Sequence, residues 1–310
     1  NYFLLGNHFD NTYYNFFIKA LKRNERLDVR HIKTESEFDC SKLKDNTDVI
    51  LLWENSFFGM PKELVGIQDL EIPVISRTGD PSRAKESKKL HKKWKINYYF
   101  DFFSESFFHK IYPKEFNYKK IFYGVESSLF KDLKPFNYRI KNKILNSGNI
   151  GNDKFLSKII NDIRNPKWNS YRCKLLRTKC CKLDYVDWTP TLEHDYVNDN
   201  YAKLLEQYQA VIAADSYTPV QKYWEIPAAG CLTFMEVTEK NDGKHIGFID
   251  GENCVFINES NYIKKFEEYL KTSDDPKWEK IASAGRKFAL QNFNNDKAVN
   301  ELADLFSELK

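Results

Sequence analysis

The chain has 310 residues, 42% of them hydrophobic, and this length suits two domains of about 150 residues better than a single core. Its formal net charge is a mild +4, although the cations are clustered. The longest apolar runs, such as Asp48–Trp53, have strand length and fall well short of the roughly 20 residues that a membrane-spanning helix needs. We therefore expect no transmembrane segment.

The six cysteines form no C-x-x-C pair, and their spacing fits no zinc-binding pattern. The opening residues Asn1–Leu5 carry no basic flank, so no signal peptide is expected. We interpret the cysteines as reduced thiols of a cytoplasmic protein, with peripheral association at a membrane surface as the alternative.

The first half of the chain alternates short apolar runs with helical segments. A helix is predicted over 12–23, where Tyr14, Phe17 and Leu21 form one apolar stripe. The run at 48–53 is nearly all apolar, as expected for a strand covered on both faces. This alternation predicts a parallel sheet with helices on both sides. The predicted strands are residues 2–5, 27–32, 48–53, 72–76, 96–103 and 120–123.

Ligands of a parallel sheet bind beyond the carboxyl ends of its strands. In this half the segments 6–10, 54–58 and 77–80 occupy that position. They contain His8 and Asp80, which could orient or deprotonate a ligand hydroxyl. The alternatives are a turn histidine for His8 and a helix cap before Pro81 for Asp80.

Residues 83–95 form a basic block with seven Lys and Arg against one Glu. One interpretation is a solvated helix face. The other is a surface that holds an anionic acceptor, such as a phosphorylated glycan, a phosphorylated lipid or nucleic acid.

In the second half, a strand at 142–146 leads into the small-residue loop Ser147–Asn152 and a helix at 154–163. Gly148 and Gly151 would let the backbone approach a ligand, and the helix N-terminus offers N–H groups to phosphate. Residues 161–182 add seven cations, which are solvated or meet phosphates. Further strands are predicted at 183–188, 210–214, 232–235 and within 247–256, and helices at 198–207, 261–271, 276–292 and 296–309.

The stretch Lys222–Cys231 reads as a short helix that stops at Gly230 and leads into a buried strand. Lys222 and Glu225 are three residues apart and share one helical face. A junction of this kind lies where α/β proteins bind ligands.

The stretch Lys222–Glu236 resembles the second domain of GT-B glycosyltransferases, and most of all the spore-maturation CgeB-like group related to glycosyltransferase family 4. These enzymes carry Lys/Arg-x-x-Glu-(Ile/Ala)-x-Ala-x-Gly before a strand, which stands here as Lys222-Tyr-Trp-Glu225-Ile-Pro-Ala-Ala-Gly230. Similar segments follow in the family's order at Tyr123–Val125, Ile144–Gly148, Tyr201–Ala213, Gly247–Phe256 and Lys280–Arg286.

The resemblance implies an α/β fold of two doubly wound, Rossmann-like domains that face each other across a cleft, the GT-B architecture. We expect an acceptor domain at 1–132, a donor domain at 133–290 and a terminal helix at 291–310 that packs back toward the first domain. The implied function is transfer of a sugar from a nucleoside-diphosphate sugar, most simply a UDP-sugar, to an acceptor hydroxyl. The family implies a retaining reaction without a bound metal.

The family's motif also implies roles for individual residues. Glu225 would hold the ribose hydroxyls, Lys222 and Lys154 the diphosphate, and Gly230 would let the sugar come close. Lys158 competes with Lys154 in the alignment. His8 or Asp80 would act on the acceptor hydroxyl. The remaining donor-site candidates are the loop residues Gly148, Asn149 and Gly151 and the pocket residues His194, Ser216 and Tyr217.

Other interpretations remain open at this level. The two lysines could be surface charges, Glu225 could pair with Lys222, Tyr217 could be a packed core residue and His194 a solvated one. The sequence also departs from the family, because Tyr217 stands where many members have a first Glu and Asn149 where they have Arg. The departures favour a non-catalytic nucleotide- or nucleic-acid-binding protein. Within the enzymes, the alternative is a DNA-modifying glycosyltransferase.

Overall fold

The structure, a computed structural model, describes residues 2–5, 13–32, 37–53, 63–164, 168–189 and 200–309. The chain divides into one unit of residues 1–124 with 295–310 and a second unit of residues 125–294. The sequence placed this division somewhat later, at 132, and the start of the returning segment somewhat earlier, at 291. His8, His194 and the segment 54–58 lie outside the described residues.

The first unit is built on a parallel six-stranded sheet in the order β2-β1-β4-β6-β7-β8, and two further strands, β3 and β5, pair with each other. All four residues of β4 are buried, as the apolar run at 48–53 predicted. In chain order the elements are β1 (Tyr2–Leu5), α1 (Tyr13–Arg23), β2 (Val29–Ile32), β3 (Glu37–Asp39), β4 (Val49–Leu52), β5 (Glu63–Val65), β6 (Val74–Arg77), α2 (Ala84–Lys93), β7 (Ile96–Asp101), α3 (Glu105–Ile111) and β8 (Tyr118–Lys120).

The second unit is built on a parallel five-stranded sheet in the order β10-β9-β11-β12-β13. In chain order its elements are β9 (Ile140–Ser147), α4 (Phe155–Arg164), α5 (Ser170–Cys173), α6 (Leu175–Cys180), β10 (Val186–Thr189), α7 (Tyr201–Leu205), β11 (Tyr208–Ala213), α8 (Lys222–Ala228), β12 (Leu232–Glu236), β13 (Val255–Ile257), α9 (Tyr262–Lys271) and α10 (Pro276–Asn292). The predicted class, an α/β fold with two parallel sheets and flanking helices, is confirmed.

The strand order of the second unit creates a natural ligand site. From β9 the chain moves to β10 on one side and then returns to β11 on the other. Beyond the carboxyl ends of β9 and β11 the connections run in opposite directions, and a crevice opens between them. The loop Ser147–Asn152 follows β9, and the segment Ala214–Tyr217 follows β11.

The last helix, α11 (Asn295–Glu308), belongs to the first unit. Arg23 of α1 pairs with Asp296 of α11 through Nε and Oδ1 at 2.6 Å, and the Gly124 N–H donates to Asn295 Oδ1 at 2.8 Å. All six cysteines are free thiols. Over the described ranges, each helix is too short or too polar to span a bilayer.

Gly285 permits close packing of α10. A Cβ atom at this position would lie 2.4 Å from the backbone oxygen of Asn253 and 3.5 Å from Cβ of Pro227 in α8. In an ordinary helix, Gly→Ala stabilises by about 1 kcal/mol. Here we expect Gly285→Ala to destabilise by roughly 1–3 kcal/mol, because backbone atoms must move. Urea unfolding checks this, with Ser283→Ala on the exposed side of the same helix as control. Equal stability of Gly285→Ala and wild type would contradict the packing.

Candidate functional site

The turn after β9 centres on Gly148, which has a φ of +90°. A Cβ atom there would lie 3.4 Å from Lys222 Nζ and 3.9 Å from an Arg177 terminal nitrogen. A glycine is therefore favoured twice, by its backbone conformation and by the two cations that approach its Cα. Gly148 and Lys222, separated by more than seventy residues, are brought together as predicted.

Lys222, at the start of α8, reaches across to β9. Its Nζ donates to the backbone oxygen of Ser147 at 2.5 Å. Burial, and after it the Arg177 guanidinium, hold the pKa of Lys222 well below its usual range, while Asp215 and Glu225 oppose this shift. Within the described residues no ion pair joins Lys222 to Glu225. Lys222 is therefore neither a surface charge nor the partner of a helix salt bridge.

Arg177, in α6, connects the loops that follow β9 and β11. Its Nε donates to the oxygen of Ala214 at 3.1 Å, one terminal nitrogen donates to the oxygen of Asn149 at 2.9 Å, and the other pairs with Asp215 Oδ2 at 3.4 Å. Its side chain is only 6% exposed. The sequence placed Arg177 among seven cations without distinguishing it. One feature of the sequence could have indicated that Arg177 is buried, namely its position next to the apolar residue Leu176 in a short helix whose other buried residues are uncharged.

Three cations meet at this edge of the sheet. The third, after Lys222 and Arg177, is Lys174. Burial, and after it the neighbouring Arg177, lower the pKa of Lys174. Asp215 is the carboxylate that pairs with Arg177, and burial raises its pKa although Arg177 opposes the shift. Because Arg177 lowers the pKa of both lysines, a bound anion would relieve the repulsion among the three cations. The cluster of Lys174, Arg177, Lys222 and Gly148, hereafter the strand-end cluster, is thus suited to hold a phosphate group.

Glu225 lies one turn further along α8 and presents a carboxylate without a described hydrogen-bond donor. Burial raises its pKa to about 7, and Lys222 opposes this shift. Nearby, the Tyr201 hydroxyl lies 2.8 Å from Ser147 Oγ, and burial, and after it Glu225, raise the pKa of that tyrosine. A half-buried carboxylate next to cations can accept hydrogen bonds from vicinal hydroxyl groups.

Only some of the backbone N–H groups in the turn that begins at Gly148 donate hydrogen bonds within the described residues. The Gly148 N–H donates to the Thr189 oxygen at 3.0 Å and the Gly151 N–H to Thr178 Oγ1 at 2.8 Å, so neither of these N–H groups is free for a phosphate. A Cβ on Gly151 would lie 2.7 Å from Tyr171 Cα, which explains the glycine. The N–H groups of Asn149 and Ile150 donate to none of the described residues.

The predicted phosphate lysine has two candidates, and the described contacts bring neither to the strand-end cluster. Lys154 is exposed just before α4, and its backbone N–H is capped by Asn152 Oδ1 at 3.1 Å. Lys158 lies over the Tyr171 ring, with Nζ 4.3 Å from the centroid. The phosphate role of Lys154 stays a prediction.

Ser216 and Tyr217 follow β11 beside the cluster. Ser216 is buried, and its hydroxyl donates to Glu236 Oε1 at 3.0 Å. The Tyr217 ring has Trp168 at 5.3 Å and the Lys240 ammonium 4.2 Å from its centroid. Tyr217 is thus half-buried rather than a core residue. Asp215 Oδ1, which accepts from the Tyr217 N–H at 3.1 Å, orders this turn.

Glu236, at the carboxyl end of β12, is 3% exposed, and its Oε2 has no partner among the described residues. Burial raises its pKa from about 4.5 to about 7. Because the folded-state pKa is the higher one, its contribution to stability is full below about pH 4.5 and is lost as pH rises through about 7. We expect Glu236→Gln to be more stable than wild type by about 1–3 kcal/mol at about pH 8, and no more stable at about pH 4. Urea unfolding at both values checks this, and a gain of equal size at both would contradict it.

Gly230 does not join the strand-end cluster. It follows α8 at a φ of +72° and precedes β12, so it lies at the amino edge of the parallel sheet. A Cβ atom there would lie 3.4 Å from Arg286 and 3.6 Å from Arg139, and Arg139 also donates to the Ala229 oxygen at 3.0 Å. The prediction that Gly230 lets the sugar come close is therefore wrong. This glycine ends a helix.

In the first unit, Asp80 is exposed and caps a short 3-10 helix, because its carboxylate accepts from the Ser82 N–H at 2.8 Å. The cap interpretation is confirmed, and its role toward an acceptor stays a prediction. The neighbouring strand ends instead bury an ion pair that the sequence did not indicate. Arg77 lies 3.7 Å from Asp101 Oδ2, and the Tyr123 hydroxyl donates to Asp101 Oδ1 at 2.8 Å.

The basic block at 83–95 is mixed in character. Lys93 pairs with Glu63 at 2.6 Å, and Lys95 donates to the Leu70 oxygen at 2.7 Å. Four exposed lysines at helical spacing form one stripe on α2: Lys85, Lys88, Lys89 and Lys92. This stripe is the part of the block that can meet an anionic partner.

The comparisons with known proteins agree with the fold. Residues 159–304, which include α8 and Arg177, match a family model described as "Glycosyl transferase-like". No curated protein sequence matches the chain. The kinship with the CgeB-like group and family 4 stays a prediction.

Several solved structures share the fold. HepE of Anabaena in complex with UDP matches with a TM-score of 0.60 at 10% identity, over 99% of this chain and 100% of that one. An alpha-glucosyltransferase in complex with UDP-glucose and DNA containing an abasic site matches with a TM-score of 0.57 at 10% identity, over 99% and 98%. Sucrose-phosphate synthase of Thermosynechococcus elongatus matches with a TM-score of 0.56 at 12% identity, over 87% and 75%. The chain has the fold of GT-B glycosyltransferases.

Proposed function

We propose that this protein is a glycosyltransferase that moves a sugar from a UDP-sugar to an acceptor hydroxyl, with the strand-end cluster as its diphosphate site. The observation that carries the proposal is the meeting of Lys222 and Arg177 at the Gly148 turn, beyond the carboxyl ends of β9 and β11. The matched family model and the UDP complexes of the structural neighbours support the same choice.

Glycosyl transfer breaks the bond between the sugar C1 and a β-phosphate oxygen and forms a bond between C1 and the acceptor oxygen. Negative charge grows on the departing UDP, where the ammonium of Lys222, the guanidinium of Arg177 and the N–H groups of Asn149 and Ile150 would stabilise it. The half-buried Glu225 carboxylate would accept hydrogen bonds from the ribose hydroxyls. The Tyr217 turn would border the nucleotide.

We propose a retaining reaction without a bound metal. The cations of the strand-end cluster can take the electrostatic role that a divalent ion has in other transferases. In a retaining reaction the leaving phosphate oxygen accepts the acceptor proton. Asp80 or His8 would then orient the acceptor, and in an inverting reaction either could accept that proton.

Two observations favour specific alternatives. Tyr217, where the resembled family often has a Glu, favours a protein that binds nucleotides without turnover. The four-lysine stripe of α2, together with a neighbour of the same fold whose structure contains DNA, favours a nucleic-acid acceptor. Lysines that contact a phosphodiester chain make binding strongly dependent on salt.

The test is UDP release from UDP-glucose and other UDP-sugars, with and without EDTA, in the presence of glycan, lipid and DNA acceptors. We expect acceptor-dependent UDP release that EDTA leaves unchanged and that Glu225→Ala lowers at least about 10-fold, because a charged hydrogen bond is lost. UDP binding without turnover under every condition would favour the non-catalytic alternative. Absence of both binding and turnover would rule out the proposal.

A further inference from the structure

Helix α4 turns its apolar side toward solvent. Its five large apolar side chains are between 41% and 76% exposed, and none of its residues is buried. They recur at helical spacing and form one continuous stripe: Phe155, Leu156, Ile159, Ile160 and Ile163.

The polar side of α4 contacts its own unit instead. Asp162 pairs with Arg172 at 3.0 Å and accepts from Asn169 at 2.6 Å. Lys158 lies over the Tyr171 ring. A helix at the surface of a globular domain normally buries its apolar stripe and exposes its polar one. In α4 this arrangement is inverted, so the apolar stripe serves a contact outside this unit.

The exposed apolar area of the stripe is large enough for an interaction site. Five side chains at these exposures offer on the order of 500 Å² of apolar surface, and patches of that size on soluble proteins mark interaction or membrane-contact sites.

The stretch of chain that contains α4 is strongly basic. Residues 151–184 contain nine Lys and Arg against three Asp, a net charge of +6, so the rest of the chain, whose total is +4, sums to −2. On the helix itself, Lys158 and Arg164 border the apolar stripe on its two sides at 3.6 residues per turn. An apolar stripe edged by cations is the pattern of helices that lie in the interface of anionic membranes.

We propose that α4 inserts its apolar stripe into the surface of an anionic lipid bilayer while the cations that border the stripe, Lys158 and Arg164, contact the lipid phosphates. The apolar side chains supply the burial, and each cation near the surface adds electrostatic attraction that salt screens. The proposal stands on α4 and its charge alone. Together with the proposed function, it favours a lipid-borne acceptor, because α4 directly follows the Ser147–Asn152 loop.

A second copy of the chain fits the stripe less well. Pairing of two α4 helices across a two-fold axis would bring two segments of +6 charge face to face. The stripe is also smaller than the roughly 800 Å² per partner of a standard protein interface.

The test uses sedimentation with vesicles of phosphatidylcholine alone or mixed with phosphatidylglycerol. We expect the full chain to sediment with the anionic vesicles, and less of it to do so as the salt concentration is raised. We expect no binding to vesicles of phosphatidylcholine alone. Changing Leu156→Asp and Ile163→Asp together should weaken binding about 10-fold or more. The matched control changes Tyr138→Asp and Ile249→Asp, exposed apolar residues outside α4, and should bind as wild type does. Circular dichroism checks the fold, and Leu156→Ser with Ile163→Ser repeats the test without added charge.

No binding of wild type to anionic vesicles would overturn the proposal. So would equal losses in the α4 and control pairs, or light scattering that shows a dimer which the α4 pair disrupts. UDP titration of the same variants separates the two proposals, because the α4 changes should leave UDP affinity unaltered.

Discussion

Replacement of Lys222 by methionine will lower kcat/KM for a UDP-sugar by about 10²–10³-fold, the usual cost of removing one transition-state donor. The ammonium lies at the Gly148 turn, where the departing diphosphate is expected, and a methionine of similar length fills the space without the charge. The loss should appear mainly in kcat, because the charge on the leaving group is greatest in the transition state. Steady-state kinetics of UDP release measures it.

The lowered pKa of Lys222 adds a signature that a merely structural lysine would lack. Free Lys222 loses its proton more easily than an ordinary lysine, and a bound diphosphate favours the charged form. UDP affinity should therefore fall as pH rises through the lowered pKa of the free protein, and Lys222→Met should lack this part of the decline. Lys264→Met, an exposed lysine on α9, is the matched control and should behave as wild type does. Activity of Lys222→Met within about threefold of wild type would contradict the assignment.

The second large effect concerns stability. Arg177→Met will destabilise the second unit by about 3–5 kcal/mol, because it leaves the buried Asp215 carboxylate without its paired cation and the Ala214 and Asn149 carbonyls without the guanidinium that donates to them. Asp215→Asn in the same chain should restore part of the loss, since no unpaired charge remains. Urea unfolding of both single variants and the double variant gives the coupling energy.

An exposed ion pair of a nearby arginine, Arg172, serves as the control for Arg177→Met. Arg172 pairs with Asp162 at 3.0 Å, but the two side chains are 51% and 42% exposed. Arg172→Met should cost no more than about 1 kcal/mol, because solvent screens the pair. Equal losses for Arg177→Met and Arg172→Met would show that the buried pair does not hold the two loops together.

Much of the fold could be predicted because the local pattern and the buried environment agree. The all-apolar run at 48–53 became the buried strand β4, and the helix predicted at 276–292 begins and ends at those residues. Short elements were harder to predict. The strand expected at 183–188 is β10 at Val186–Thr189, because the residues before it turn after α6, and the pairing of β3 with β5 has no local signal.

Site residues that belong to a recognisable motif could be predicted from the sequence. Residues that reach the site from distant segments of the chain could not. Lys222 and Gly148 meet as expected. Arg177 could not be distinguished from its neighbouring cations, because only the tertiary structure buries it. Gly230 was placed beside the sugar because it follows the motif in sequence, yet α8 runs from one edge of the sheet to the other and carries Gly230 away. Helix periodicity alone also could not show which side of α4 faces solvent.

Calorimetric titration of UDP into the full chain tests the central claim most directly. A strand-end cluster that holds the diphosphate predicts saturable one-to-one binding, weakened about 10-fold or more by either Lys222→Met or Glu225→Ala, since each removes a charged hydrogen bond, and unchanged by Lys264→Met. Absence of saturable binding, or equal affinity of wild type and both site variants, would contradict a UDP-sugar site at the carboxyl ends of β9 and β11.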